Sequence, residues 1–129
     1  MTDAVRIWDT HVHFPFDWEN PESDPTPRVE KLVEVMAEQN VVKASVLSGG
    51  RFGPDHDAAL KLMKPHNELV PVAIIDPETF TIEKIQQLHD LGYRGGKLIG
   101  PPRAYDTPDY LPLYEKAEEL AWPIVFHMG

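Results

Sequence analysis

Five short apolar runs alternate with amphipathic helical stretches along the whole chain, and this alternation limits the possible folds more than any other feature. The runs are Arg6–Phe14, residues 41–49 (V-V-K-A-S-V-L-S-G), residues 69–76 (L-V-P-V-A-I-I-D), Tyr93–Gly100 and the closing P-I-V-F-H-M-G. Thr26 as N-cap and Pro27 at the first helical position predict a helix start. Val29, Leu32, Val33 and Met36 then follow at i, i+3, i+4 and i+7, and Asn40 closes the helix. A shorter helix is predicted from Asp55 to Lys64, halted by Pro65. Ile82, Ile85, Leu88 and Leu91 mark a third, closed by Gly92. The fourth begins around Thr107–Asp109, with Tyr110, Leu113, Tyr114, Ala117, Leu120 and Ala121 on its apolar face. Strand and helix in strict alternation predict a single α/β domain over residues 1–129, built on a parallel sheet.

The connections are unequal. Those after strands are long and rich in Pro and Gly (14–27, 49–54, 76–81, 100–108), whereas most returns from helix to strand are short. In a (β/α) barrel the loops after the strands build the active site. His11, His13, Asp76, Lys97 and His127 all fall at or near the C-terminal ends of strands.

His11 and His13 end the first strand, which is expected to be buried. Residues two apart share a strand face, so the two imidazoles project together, roughly 6–7 Å apart. They can share one divalent metal ion. Asp9 falls on the same face one step deeper, where a carboxylate can orient a ligand histidine, while Trp8, Thr10 and Val12 take the other face. A lone His-x-His pair is a weak signal; His127, ending the fifth strand, makes it a stronger one. The chain has no cysteine, so a metal must be held by His, carboxylate or a modified side chain. Lys97 stands in a glycine-rich apolar strand, where an unpaired buried ammonium is costly. It is expected there as a cation for an acidic substrate, as the carrier of a carbamate, or as a lysine that snorkels its ammonium to solvent.

Phe14, Phe16 and Trp18 either line an apolar pocket beside the histidines or staple their loop to the body. Of Arg51, Arg94 and Arg103, the last is best placed to receive a substrate carboxylate. Asp76 before Pro77 is expected to form a turn, and His56, His66 and His89 to lie on the surface. The formal net charge of −9, from 21 acidic and 12 basic residues, argues against nucleic acid and anionic membranes as partners. No apolar run approaches the roughly 20 residues of a membrane span, and the start lacks a secretory profile, so the cytoplasm is the default location.

W-D-T-H-V-H, G-Y-R-G-G-K-L and P-I-V-F-H-M-G together resemble the amidohydrolase superfamily, in its amidohydrolase-related branch of aromatic-acid decarboxylases and lactone hydrolases. The resemblance implies a TIM-type (β/α)₈ barrel with a divalent metal, usually zinc, at its C-terminal mouth. It implies His11, His13 and His127 as metal ligands and Lys97 at the position that some members carboxylate. It also implies water activated for attack on an amide, ester or lactone carbonyl of a small molecule, or the alternative of decarboxylation. The family's sixth-strand histidine and eighth-strand aspartate have no counterpart in residues 1–129, so the chain is expected to be the first five strands of a longer enzyme. A non-catalytic half-barrel, associating with itself as a homo-oligomer or with a second chain through exposed edges, is the reading from another class.

Overall fold

The computed structural model describes residues 5–50 and 53–128. Its strands are β1 (Ile7–His13), β2 (Val41–Ser48), β3 (Leu69–Ile74), β4 (Gly96–Leu98) and β5 (Ile124–Phe126). They alternate with helices α1 (Thr26–Glu38), α2 (His56–Met63), α3 (Ile82–Leu91) and α4 (Leu111–Glu119), the last preceded by a 3-10 turn at Pro108–Tyr110. The sheet order follows the chain, β1-β2-β3-β4-β5. The residues divide into two compact units between Pro71 and Val72. Among the described residues no helix is long and apolar enough to cross a membrane.

In the first unit β1 and β2 pair in parallel. Val29 and Met36 of α1, Ala44 and Val46 of β2, and Ala59 and Met63 of α2 bury together, with Phe14 and Phe16 closing the cluster. Leu32, Val33 and Val12 pack against it, so the helical spacing read from the sequence is the spacing that meets the core. Asn40 ends α1 in the left-handed region at φ 58°, as a C-terminal Asn does. The start of α1 differs from expectation. Pro25 is the N-cap residue and makes no side-chain cap bond; Asp24 instead accepts both the Thr26 N–H (3.0 Å) and the Thr26 hydroxyl (2.7 Å). The Arg28 and Val29 N–H groups, which a Thr26 cap would have taken, go to the Pro25 carbonyl (2.9 and 3.0 Å), so the helix starts one residue earlier and the hydroxyl serves as a donor. Asp55 caps α2 by accepting the Ala58 N–H at 2.8 Å.

β1 also departs from expectation, because it is exposed rather than buried from Ile7 to His11. Among the described residues its hydrogen-bonded neighbour is β2, and much of its surface meets solvent. Its pairing is interrupted by register shifts at Ile7/Trp8 and Asp9/Val12. Simple alternation is therefore broken: Val12 packs on the Val46 face, while the Trp8 indole donates to Ser45 Oγ (3.2 Å) on the opposite one.

In the second unit, from Val72 onward, β3 pairs in parallel with β4 and β4 with β5, with Ile74 opposite Lys97 and Lys97 opposite Val125. Ile85 and Leu88 of α3 and Leu113 and Ala117 of α4 are buried, as is Tyr93. Gly92 closes α3 at φ 132°, a conformation that other residues rarely hold. His89 is half-buried rather than a surface residue: its Nδ1 accepts the indole N–H of buried Trp122 at 2.9 Å.

Candidate functional site

His11 and His13 stand side by side at the end of β1, with ring centres 5.3 Å apart and planes at 65°. That is within reach of a single divalent ion bound through one nitrogen from each ring, so the pair fits two positions of a metal site. Asp9 supports the pair through the backbone, its carboxylate accepting the His11 N–H at 3.1 Å. The carboxylate thus holds the main chain at the register shift and fixes where the first ring begins. Among the described residues, no group of three or more His, Cys, Asp or Glu side chains gathers closely enough to hold a metal.

His127 follows β5 directly. Its N–H donates to the Leu98 carbonyl at 3.0 Å, which extends the β4–β5 ladder one step beyond Phe126. Lys97 and Val125 are partners across that ladder, and His127 lies two residues after Val125. Lys97 and His127 therefore share a face of β4 and β5, opposite the face on which Phe126 packs against Tyr114 of α4. Lys97 is 1% exposed. Burial pushes its ammonium pKa down from the usual lysine value, because the charged form loses hydration there.

Arg103, the arginine singled out for a substrate carboxylate, is already held by two carboxylates of its own unit. Its Nε and Nη2 make a bidentate pair with Glu78 (2.8 and 2.9 Å), and its Nη1 reaches Asp109 at 2.5 Å. Its guanidinium also lies 5.1 Å from the centre of the Tyr110 ring, and the Tyr110 hydroxyl donates to Glu78. Hydrogen bonds from Arg103 and then Tyr110 hold the Glu78 carboxyl below its usual range, and the same carboxylates raise the Arg103 guanidinium. Phe14 is 2% exposed within the first unit's core, whereas Trp18 is 63% exposed and rests on Phe16 with ring centres 4.5 Å apart. Asp76 makes the expected turn by accepting the Glu78 N–H at 2.9 Å. Arg94 donates to the carbonyls of His89 (2.9 Å) and Tyr93 (2.7 Å), closing the turn after α3. Arg51 lies outside the described residues.

Sequence patterns did not disclose two features at the strand ends. Gly49, at φ 105°, leaves room for the half-buried His56 ring; a β-carbon there would lie 2.2 Å from its Nε2. The Gly-Gly pair after β2 was the available signal. The second is a pair of tyrosines: Tyr105 OH donates to the His127 carbonyl (2.5 Å), and Tyr114 OH donates to the Tyr105 carbonyl (2.6 Å). Nothing in the spacing of these residues announces the link.

Comparisons with known proteins give the family and the fold. The amidohydrolase family model matches residues 8–129, and the chain belongs to that family. Among solved structures, it is similar to a probable 2-pyrone-4,6-dicarboxylic acid hydrolase from Acinetobacter baumannii, solved with citric acid bound, at TM-score 0.72 and 22% identity. That likeness covers 96% of this chain and 50% of the other. A candidate 2-pyrone-4,6-dicarboxylic acid hydrolase from Pseudomonas putida matches at TM-score 0.64 and 18% identity, over 93% of this chain and 47% of that one. An Agrobacterium tumefaciens protein in its apo form matches at TM-score 0.63 and 19% identity, over 94% and 47%. No curated protein matches the chain. The architecture is thus that of five successive β/α strands of a TIM-type barrel, and the chain spans about half the length of the structures it matches.

Proposed function

We propose that this chain carries the first five strands of a cytoplasmic, zinc-dependent hydrolase that opens an amide, ester or lactone carbonyl of a small, carboxylate-bearing molecule. The observation that carries this reading is the His11–His13 pair, two imidazoles 5.3 Å apart at the end of the first strand of an amidohydrolase-family chain. His11 and His13 would supply two of the ion's ligands and His127, by the family resemblance, a third; the ion when bound polarises the carbonyl and makes water a nucleophile at neutral pH. The chain's own groups do the rest. The Asp9 carboxylate fixes the backbone that aims His11, and the buried Lys97 offers an amine to the acidic substrate. Arg103 receives a substrate carboxylate by releasing Asp109, the more exposed of its two partners. Phe14 and Trp18 belong to the loop that walls the substrate.

Hydrolysis is favoured over decarboxylation because two of the similar structures are described as hydrolases of a pyrone dicarboxylate. The test uses the protein that contains this chain, loaded with zinc and offered 2-pyrone-4,6-dicarboxylate. Ring opening should consume one water, release no carbon dioxide and disappear together with bound zinc in the His11→Ala/His13→Ala double variant. Undiminished zinc content in that variant overturns the assignment.

A further inference from the structure

The geometry points to Tyr105 as the residue that positions His127, acting through its main chain. His127 follows the last residue of β5, where a backbone is ordinarily free to fray. Here both of its peptide groups are held. Its N–H donates to the Leu98 carbonyl at 3.0 Å, which fixes the peptide plane before its Cα. Its carbonyl accepts the Tyr105 hydroxyl at 2.5 Å, which fixes the plane after it. Peptide planes are rigid, so setting the plane on each side of a Cα sets φ and ψ and hence the direction of the Cα–Cβ bond. The imidazole is then left with only its own side-chain torsions.

Tyr105 is itself anchored. Its ring packs edge-on against Phe126 with centres 4.9 Å apart, and its carbonyl accepts the Tyr114 hydroxyl at 2.6 Å. Phe126 lies on the α4 side of the strand and His127 on the Lys97 side. The tyrosine thus packs against Phe126 and holds the His127 backbone through its carbonyl, on the face opposite to that of the imidazole. Tyr105 has no contact with reacting atoms in this scheme; it is a positioning residue, and its role rests on the reading of His127 as a metal ligand.

The test compares zinc affinity, by competition with a chromophoric chelator, in the full protein and in its Tyr105→Phe, Tyr114→Phe and His127→Ala variants. Histidine-ring NMR spectra are recorded alongside, with the His127 signal assigned by its loss in His127→Ala. Tyr105→Phe keeps the ring against Phe126 and removes only the hydroxyl. It should weaken zinc about tenfold, in the range seen when groups that orient metal ligands are removed, and should broaden or shift the His127 signal. Tyr114→Phe, one step further away, should do the same to a smaller degree. A tyrosine that merely stabilised the fold would lower the melting temperature and leave zinc affinity unchanged. That result, with affinity lost in His127→Ala, overturns the proposal while the metal reading stands. If His127→Ala leaves zinc affinity intact, the metal reading fails, and Tyr105 is judged by the ring signal alone. An unmoved His127 signal in Tyr105→Phe then overturns it, and a shifted one upholds it.

Discussion

The loop after β1 (14–25) and the loop after β4 (99–107) are anchored by opposite kinds of interaction. In the first, Phe14 and Phe16 sink into the core, and most polar bonds stay local. Asp17 accepts the N–H groups of Glu19 and Asn20, Asp24 serves Thr26, and Arg28 reaches across the loop to Asp17, at 3.2 Å. The loop after β4 is tied by polar groups distant in sequence, Arg103 to Glu78 and Tyr105 to His127. Apolar anchorage is strong but undirected, so it holds a loop down without fixing any one atom. Hydrogen bonds contribute less but specify direction, which suits a loop that must place a backbone carbonyl.

The largest expected effect breaks the apolar side of this contrast. Phe14→Ala should cost about 3–5 kcal/mol in chemical denaturation, the usual loss when a fully buried aromatic is truncated. A cost near zero would show that the first loop is not core-anchored. Tyr114→Phe removes one hydrogen bond without changing shape and should cost about 1 kcal/mol, measured the same way. Acid sharpens the comparison further. The folded Glu78 carboxyl titrates below its ordinary value of 4.5, so its contribution is complete above that pH and is lost as pH falls through the lower folded value. The NMR signal of the Arg103 Nε–H should keep its paired chemical shift down to that value and then move to that of a solvated arginine, while the Phe14 and Phe16 ring signals stay in place. The shift of a solvated arginine at neutral pH would refute the clamp. The smallest effect belongs to Trp18→Ala, expected within about 0.5 kcal/mol of the parent because that ring is largely solvated.

The two loops also differ in how far the sequence discloses them. Features set by near neighbours were legible: the apolar faces through Val29 and Met36 or Ile85 and Leu88, the Asn40 and Gly92 helix ends, and the turn at Asp76. The His11–His13 pair was legible too, since a two-residue spacing needs only strand geometry. Arg103 was recognised as a carboxylate binder, but its carboxylates, Glu78 and Asp109, are its own protein's, and pairing over 25 residues leaves no periodic trace. The register shifts in β1 were hidden for a related reason. A bulge is decided by the partner strand's spacing, whereas alternation is counted along a single strand.

The three tryptophans are divided between the two units in a way that gives the protein built-in optical labels. Trp8 and Trp18, 55% and 63% exposed, both belong to the first unit; Trp122, 5% exposed, belongs to the second. A collisional quencher such as acrylamide should extinguish the first two and spare the third. The surviving emission then comes from the indole that donates to His89 Nδ1. One cuvette can therefore follow the second unit on its own, with no dye attached and no residue replaced.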